Sequence, residues 1–295
     1  MFTAGTPSPS GGGLALSRVR RQAFGAAPPL PPEHLAALAV FTADLVAPYG
    51  LAATDAGPGH TYGEMAAELI AAAVGGHEPV NLLVLAFAVP DLRPGRATAT
   101  YLSHVCPGGP LAFAVCDQGT AAAFTGLRLA RDYLGGGGCD RALVLVVEQA
   151  AVPYPVGPSA AVPDGPAAVA LLCERTGPTR LRSLAQHPDV GPGQAAELLA
   201  EQVAAAGDGV RVVLGAGLAA AAGGLTPLPV RAAGPGRPHT GAWWELAAEP
   251  DAGQVLVADY DPLLRYLSVA AFTGWSADVA GVQARREDHR QHRED

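Results

Sequence analysis

The stretch FTGLRLARDYLGGGGCDRALVLVVEQA, Phe124 to Ala150, decides how the rest of the chain is read. Its first part continues a long helix that begins at about Thr120 and runs to Leu134, where the run Gly135 to Gly138 stops it. Arg141 to Val147 (RALVLVV) follows as an apolar run of strand length with no polar alternation, the pattern of a strand covered on both faces. Gly135 to Gly138 is not a phosphate loop, because it follows a helix and lacks the Lys-Ser/Thr ending.

The same alternation extends outward. Val80 to Val89 (VNLLVLAFAV) reads as a buried strand after a helix over about Tyr62 to Val74, and Leu111 to Val115 as a short strand leading into the long helix. Ala167 to Cys173 is a strand reached through a Pro-rich loop that cannot be sheet interior. The second half repeats the plan with less material: a helix at about Gln194 to Ala206, a strand at Val210 to Leu214, a helix near Gly241 to Ala248, and strands at Gln254 to Ala258 and Arg265 to Phe272. Between Cys173 and Val210 the reading finds one short connection and one helix. This is an α/β chain in two similar halves, residues 14–175 and 176–275 of one domain, the arrangement that a duplication would leave. Residues 1–13, rich in Ser, Pro and Gly, and the charged end 276–295 have no apolar face and are expected to be disordered.

Composition limits the function classes. At 295 residues and 49% hydrophobic content the chain can bury a large core, and its net charge is −8. All 19 basic residues are Arg, a mark of coding bias more than of function, and the acidic balance argues against nucleic-acid or anionic-membrane partners. Cys106, Cys116, Cys139 and Cys173 have neither metal-pair nor disulfide-framework spacing, so a reduced, cytoplasmic chain is expected. No segment has the length and apolarity of a membrane span, and the start lacks the pattern of a secretion signal. His60, His77, His104 and His187 are scattered, and His289 and His292 lie in the charged end, so no metal site is expected. Trp243 and Trp244 read as packing residues, and Arg128 and Arg131 as a solvated or interface pair and not a carrier-protein docking patch.

Four ordered blocks carry a resemblance. Phe124 to Ala150 resembles, without gaps, the active-site helix and following strand of the ketosynthase III enzymes of the thiolase superfamily. Leu82 to Asp91 (LLVLAFAVPD) resembles their strand ending in a Thr-Pro-Asp-like turn, and Val162 to Leu172 (VPDGPAAVALL) their Gly-Asp-Gly-Ala strand entry. Val255 to Phe272 (VLVADYDPLLRYLSVAAF) resembles their glycine-rich closing hairpin. The resemblance covers about residues 60–275 and implies a thiolase-like fold, two similar βαβαβ halves in a layered α/β/α/β/α arrangement. It also implies chemistry on acyl thioesters of CoA or phosphopantetheine, with no other cofactor.

Members of that family use a nucleophilic Cys at the N-terminus of the buried helix, where the helix favours thiolate, with a His and an Asn, or two His, from the second half. In the ungapped register the nucleophile position is Thr120, whose alcohol a helix dipole alone cannot activate. Cys116, four residues earlier, serves only if the loop is rebuilt; the alternative is a structural cysteine. The first His position falls on Gly215-Ala216-Gly217, with no His present. In RPHTGAWWELAA, Pro238 falls on the Asn position with His239 beside it, and PHTGA also resembles the Gly-His-Thr turn of other ketosynthases and thiolases, so His239 is the one candidate base. The oxyanion-hole glycines are replaced by Asp261-Pro262-Leu263, and proline has no N–H to donate. The short segment between Cys173 and Val210 leaves little wall for a long acyl chain.

Three readings follow. One is a non-catalytic, chain-length-factor-like subunit that pairs with an active ketosynthase, and with acyl carrier protein, in polyketide or fatty-acid assembly. Another is a remodelled acyltransferase or thioesterase with Cys116 as nucleophile, His239 as base, and Asp117 or Gln118 as orienting groups. A ligand-binding or structural relative outside such biosynthesis is the third. Either a homodimer or a heterodimer is compatible with the fold.

Overall fold

The computed structural model describes residues 13–27, 29–55, 57–75, 78–93, 97–157, 160–221 and 230–280. His77, His289 and His292, and all but Gly13 and residues 276–280 of the two segments expected to be disordered, lie outside them. Among the described residues ten strands occur in the order β1 (Ala15–Ala23), β2 (Leu82–Ala86), β3 (Leu111–Val115), β4 (Arg141–Glu148), β5 (Ala167–Glu174), β6 (Thr179–His187), β7 (Arg211–Leu214), β8 (Val230–Ala232), β9 (Ala252–Asp261) and β10 (Tyr266–Trp275). The helices are α1 (Pro32–Val46), α2 (Tyr62–Ala73), α3 (Thr98–Val105), α4 (Ala121–Gly135), α5 (Pro192–Ala206), α6 (Ala216–Ala221), α7 (Gly241–Leu246) and α8 (Ala277–Ala280).

Hydrogen bonding orders the strands β3-β2-β4-β5-β1-β6-β10-β9-β7-β8. Read outward from the middle, each half has the same order and the same directions. In the first, β1 runs antiparallel to β5 and β5 to β4, and β4 and β3 run parallel to β2. In the second, β6 runs antiparallel to β10 and β10 to β9, and β9 and β8 run parallel to β7. The halves meet through two residue pairs between β1 and β6. The duplication that sequence identity is too weak to display is therefore explicit in the topology, and each βαβαβ unit is extended to five strands.

Three apolar clusters define the layers. One face of the first half, with Leu83, Leu85 and Leu145, packs on α2 and α3. One face of the second half, with Leu214, Leu256 and Val269, packs on α5 and α6. The remaining faces of both halves, with Val84, Val144, Val257 and Phe272, enclose α4 and α7. The result is the α/β/α/β/α stack, and it explains why the strands lack polar alternation: successive side chains enter two different apolar layers. Phe124 of α4 meets Trp243 of α7 with ring centroids 4.8 Å apart, so Trp243 packs helix to helix inside the central layer, as expected.

Several boundaries differ from the sequence reading. The connection between Cys173 and Val210 is not one loop and one helix, because β6 lies within it. β6 (TRLRSLAQH) and β1 (ALSRVRRQA) carry several polar residues each, which hid them from an apolar-run criterion. The strand read over Val80 to Val89 ends at Ala86, and β9 and β10 each run three residues beyond their expected ends. No helix among the described residues is long and apolar enough to cross a membrane.

Candidate active site

Four chain segments converge where the central layer opens. The first is the turn 116–120 between β3 and α4. Asp117 and Gly119 there have positive φ, 59° and 50°, and Thr120 caps α4, its backbone at the helix N-terminus and its side chain only 7% exposed. Residue 215 and the start of α6, residues 216–217, form the second, the turn 238–240 before α7 the third, and the hairpin tip 261–265, from the last residue of β9 to the start of β10, the fourth. They border a cavity of about 730 Å³. Its remaining walls are mostly apolar and come from the end of α1 and the segment after it (Leu45, Tyr49, Leu51), Val89, and the loop around Tyr154 and Val156.

This corrects the expectation of little dedicated wall. The wall comes from the segment after α1 and from the loop after β4, and not from the segment between Cys173 and Val210.

Asp261 governs the geometry of the site. Its Oδ2 accepts the backbone N–H of Thr120 at 3.3 Å, while Oδ1 accepts the N–H groups of Leu263 and Leu264 at 3.0 and 2.9 Å. A free N–H at this helix N-terminus is what an oxyanion hole needs, and here this chain's own carboxylate takes it. Pro262 follows with no N–H to offer. Two residues back on the same face of β9, the carboxyl of Asp259 fills the space that a Cβ at position 215 would occupy. Asp259 is completely buried, and burial, with Asp261 and Glu148 adding to it, holds its carboxyl well above the usual range.

Glu148, at the end of β4, holds the His239 turn. Its Oε2 accepts the N–H groups of His239 at 2.9 Å and Thr240 at 3.1 Å, and Oε1 accepts the Thr240 hydroxyl. Burial raises the Glu148 carboxyl above its ordinary value, and these bonds pull it partly back. His239 borders the cavity, with its Nδ1 buried and without a partner among the described residues. Burial pushes its imidazole down to about 4, with Asp261 pulling the other way, so it is neutral at pH 7. The Thr120 hydroxyl is likewise buried and unpartnered among the described residues.

Cys116 and His239 are not brought together on the cavity wall. Cys116 is exposed, does not border the cavity, and donates its S–H to Asp117 at 3.5 Å. Burial of its sulfur, reinforced by the Asp117 carboxylate, raises the thiol above its ordinary value, the opposite of thiolate activation. Asp117 does border the cavity. Gln118 faces α4, its Oε1 accepting the Thr125 hydroxyl at 2.7 Å, and Pro262 borders the cavity beside Asp261. Arg131 pairs with Asp132 on the surface of α4, and Trp244 lies under the guanidinium of Arg237 at 3.8 Å.

Sequence reasoning registered Asp261 only as a missing glycine, and it passed over Asp259 and Glu148. The available signal was two aspartates inside the otherwise apolar run VLVADYD, where an acid needs a partner or neutralisation to be buried.

Solved structures match this architecture over nearly the whole chain. The chain is similar to AbyA1, a tetronic acid condensing enzyme (19% identity, 88% of this chain and all of that one, TM-score 0.60). It is similar to ChlB3, described as an acyltransferase (17%, 91% and 99%, TM-score 0.62). It is also similar to the 3-oxoacyl-(acyl carrier protein) synthase III, FabH, of Pseudomonas aeruginosa PAO1 (18%, 90% and 98%, TM-score 0.61). The fold is the thiolase-like fold of the ketosynthase III enzymes. No protein-family model matches the sequence, and no curated protein matches it.

Proposed function

We propose that the chain is a ketosynthase-like subunit with no condensing or acyl-transfer activity of its own, which pairs with an active ketosynthase in polyketide- or fatty-acid-type biosynthesis, in the manner of a chain-length factor. The observation that carries this reading is the bond from the Thr120 N–H to Asp261. An acyl thioester needs that N–H for the oxygen that becomes negative, and a carboxylate already holding it both removes the donor and repels the developing charge. The loss of one such donor typically lowers rate by about 10²–10³, and it comes here with Thr120 in the position of the nucleophile.

A pairing surface supports the same reading. β3 is an edge strand whose sequence, LAFAV, holds no charge, and Leu111 is 56% exposed. An apolar, uncharged edge invites another strand. A partner strand there would continue the sheet beside α4 and leave the cavity next to the interface. The four free cysteines fit a reducing, cytoplasmic setting. Acyl carrier protein would be met through the active partner.

The second reading, an acyltransferase or thioesterase acting on a CoA or phosphopantetheine thioester, draws on the unpartnered His239 Nδ1 beside the cavity and on the likeness to ChlB3. It needs Cys116 to move to the cavity.

Intact-protein mass spectrometry after incubation with acyl-CoA and acyl-phosphopantetheine separates the two readings. The subunit reading expects no adduct on the chain alone. It also expects co-purification with a ketosynthase from the same genome, whose solubility or product length changes when the chain is present. An acyl adduct on Cys116 overturns it in favour of the second reading, and a homodimer without effect on any such ketosynthase overturns it outright.

A further inference from the structure

The cavity bears polar groups that the subunit reading leaves unused. Thr120 Oγ1 and His239 Nδ1 are both buried beside it without a partner among the described residues, and a polar atom left so in the folded chain loses free energy unless a guest restores the bond. Asp261 accepts three N–H groups, and a carboxylate can accept about four, so one acceptor position remains. Among the described residues two carboxylates, Asp117 and Asp261, border the cavity and no Arg does; the chain contains no Lys. Among the described residues of the wall, none balances the charge of an anionic guest. The volume of about 730 Å³ and the mostly apolar lining are those of a small-molecule site.

We infer that the cavity binds, without covalent chemistry, an apolar molecule whose head group donates hydrogen bonds and carries no negative charge, an alcohol or an alkylammonium. The head lies between Thr120, His239 and Asp261, and the alkyl part runs along Leu45, Leu51 and Val89. Fatty acids and the phosphate-bearing end of CoA are disfavoured, because each brings negative charge to an acidic wall with no cation. The inference rests on the subunit reading, since a site that formed an acyl-enzyme would need to receive a thioester.

Decan-1-ol below its solubility limit, and decylammonium and decanoate below their micelle concentrations, test this on the purified full chain by native mass spectrometry and titration calorimetry. The alcohol or the ammonium is expected to bind at least about tenfold more tightly than decanoate. Whichever of the two binds better identifies the head group. Thr120→Val, which keeps the shape and removes the hydroxyl, is expected to weaken decanol binding about fivefold. Leu51→Trp, at a half-exposed wall position that tolerates change, is expected to block all binding and locates the site even if the Thr120 variant folds poorly. Decanoate binding as tightly as the other two, no saturable binding of any probe, or binding indifferent to Leu51→Trp would each overturn the inference while leaving the subunit reading intact. An acyl adduct in the mass-spectrometric experiment would instead overturn that reading itself.

Discussion

The carboxylate of Asp261 occupies the space beside Gly119 that any side chain there would need. A Cβ built on Gly119 would overlap Asp261 Oδ2, and the Gly119 backbone is left-handed, with φ of 50°. The glycine thus meets two separate demands, a conformational one from the turn that presents the Thr120 N–H and a steric one from the β9–β10 hairpin that carries Asp261.

Those two demands can be separated by a double-mutant cycle. Gly119→Ala is expected to cost about 2–3 kcal/mol, from the backbone conformation and the overlap together. In an Asp261→Ala background only the conformational part remains, so the cost falls to about 1–2 kcal/mol. Urea unfolding of the four proteins measures the coupling. Additive costs, with no coupling beyond about 0.5 kcal/mol, would show that the two residues do not compete for this space.

If Thr120 and Asp261 stand where the subunit reading puts them, introducing a thiol and freeing the helix N–H should create part of the chemistry. Thr120→Cys alone places a thiol beside the Asp261 carboxylate, which opposes thiolate formation, and it is expected to accept little acyl group. The Thr120→Cys, Asp261→Gly double variant frees the helix N–H and removes the opposing charge. Its rate of acylation by acyl-CoA, followed by intact mass, is expected to exceed that of Thr120→Cys by about 10²-fold. Equal rates would show that the Asp261 contact does not block the site.

His239 should make the fold acid-sensitive. Its folded pKa, about 4, lies below the unfolded value of 6.5, so folding favours the neutral imidazole. The stability this provides is full above pH 6.5 and is lost as pH falls from there toward 4. A loss on the order of 2 kcal/mol is expected across that window. Glu148 and Asp259 act in the opposite sense, because their folded values are raised and their contributions fade as pH rises. Comparing urea unfolding of the wild type with His239→Asn at pH 7 and pH 4.5 isolates the imidazole. The variant should lose less stability than the wild type between the two, and an identical loss would refute the assignment.

Asp259 offers the complementary test. Its carboxyl is buried and accepts the Tyr260 N–H at 2.8 Å, a bond that an amide oxygen accepts equally, so Asp259→Asn should fold. The wild type carries a growing penalty as pH rises above the ordinary aspartate range, since the native state resists ionisation. The variant does not, and its melting temperature relative to the wild type should rise steadily between pH 5 and pH 8. A constant difference would mean that Asp259 is ionised in the fold.

The β3 edge predicts the oligomer. Ala114 is exposed on an apolar edge strand, and Ala114→Pro or Leu111→Arg removes a donor or adds a charge where a partner strand would pair. Either change should weaken dimerisation at least about tenfold by light scattering, with the far-ultraviolet spectrum unchanged. An unaffected dimer would place the interface elsewhere.

The apolar strands were readable because each lies between two layers and needs no polar face, so Arg141 to Val147 and Ala167 to Cys173 stand out as unbroken runs. β1 and β6 were not readable by that rule. They join the two halves at the centre of the sheet yet carry Arg, Gln and Ser, and backbone pairing, not side-chain hydropathy, puts them there. The α1 segment and the loop after β4 could not be recognised as cavity walls, because their role depends on elements more than a hundred residues away.

Composition and the alternation of apolar strands and helices by themselves determined an α/β chain with a buried helix over Thr120 to Leu134. The resemblance to the ketosynthase III enzymes implied Thr120 at the nucleophile position and Asp261-Pro262-Leu263 in place of the hairpin glycines. Only the tertiary structure decided what replaced them, since the bond from Thr120 to Asp261 spans 141 residues and exists only where the β9–β10 hairpin meets the start of α4. Local pattern reports which elements form. The field and space around a side chain come from whatever distant segment packs against it, and that is why the sequence registers Asp261 as an absent glycine while the fold makes it the anion at the helix N-terminus.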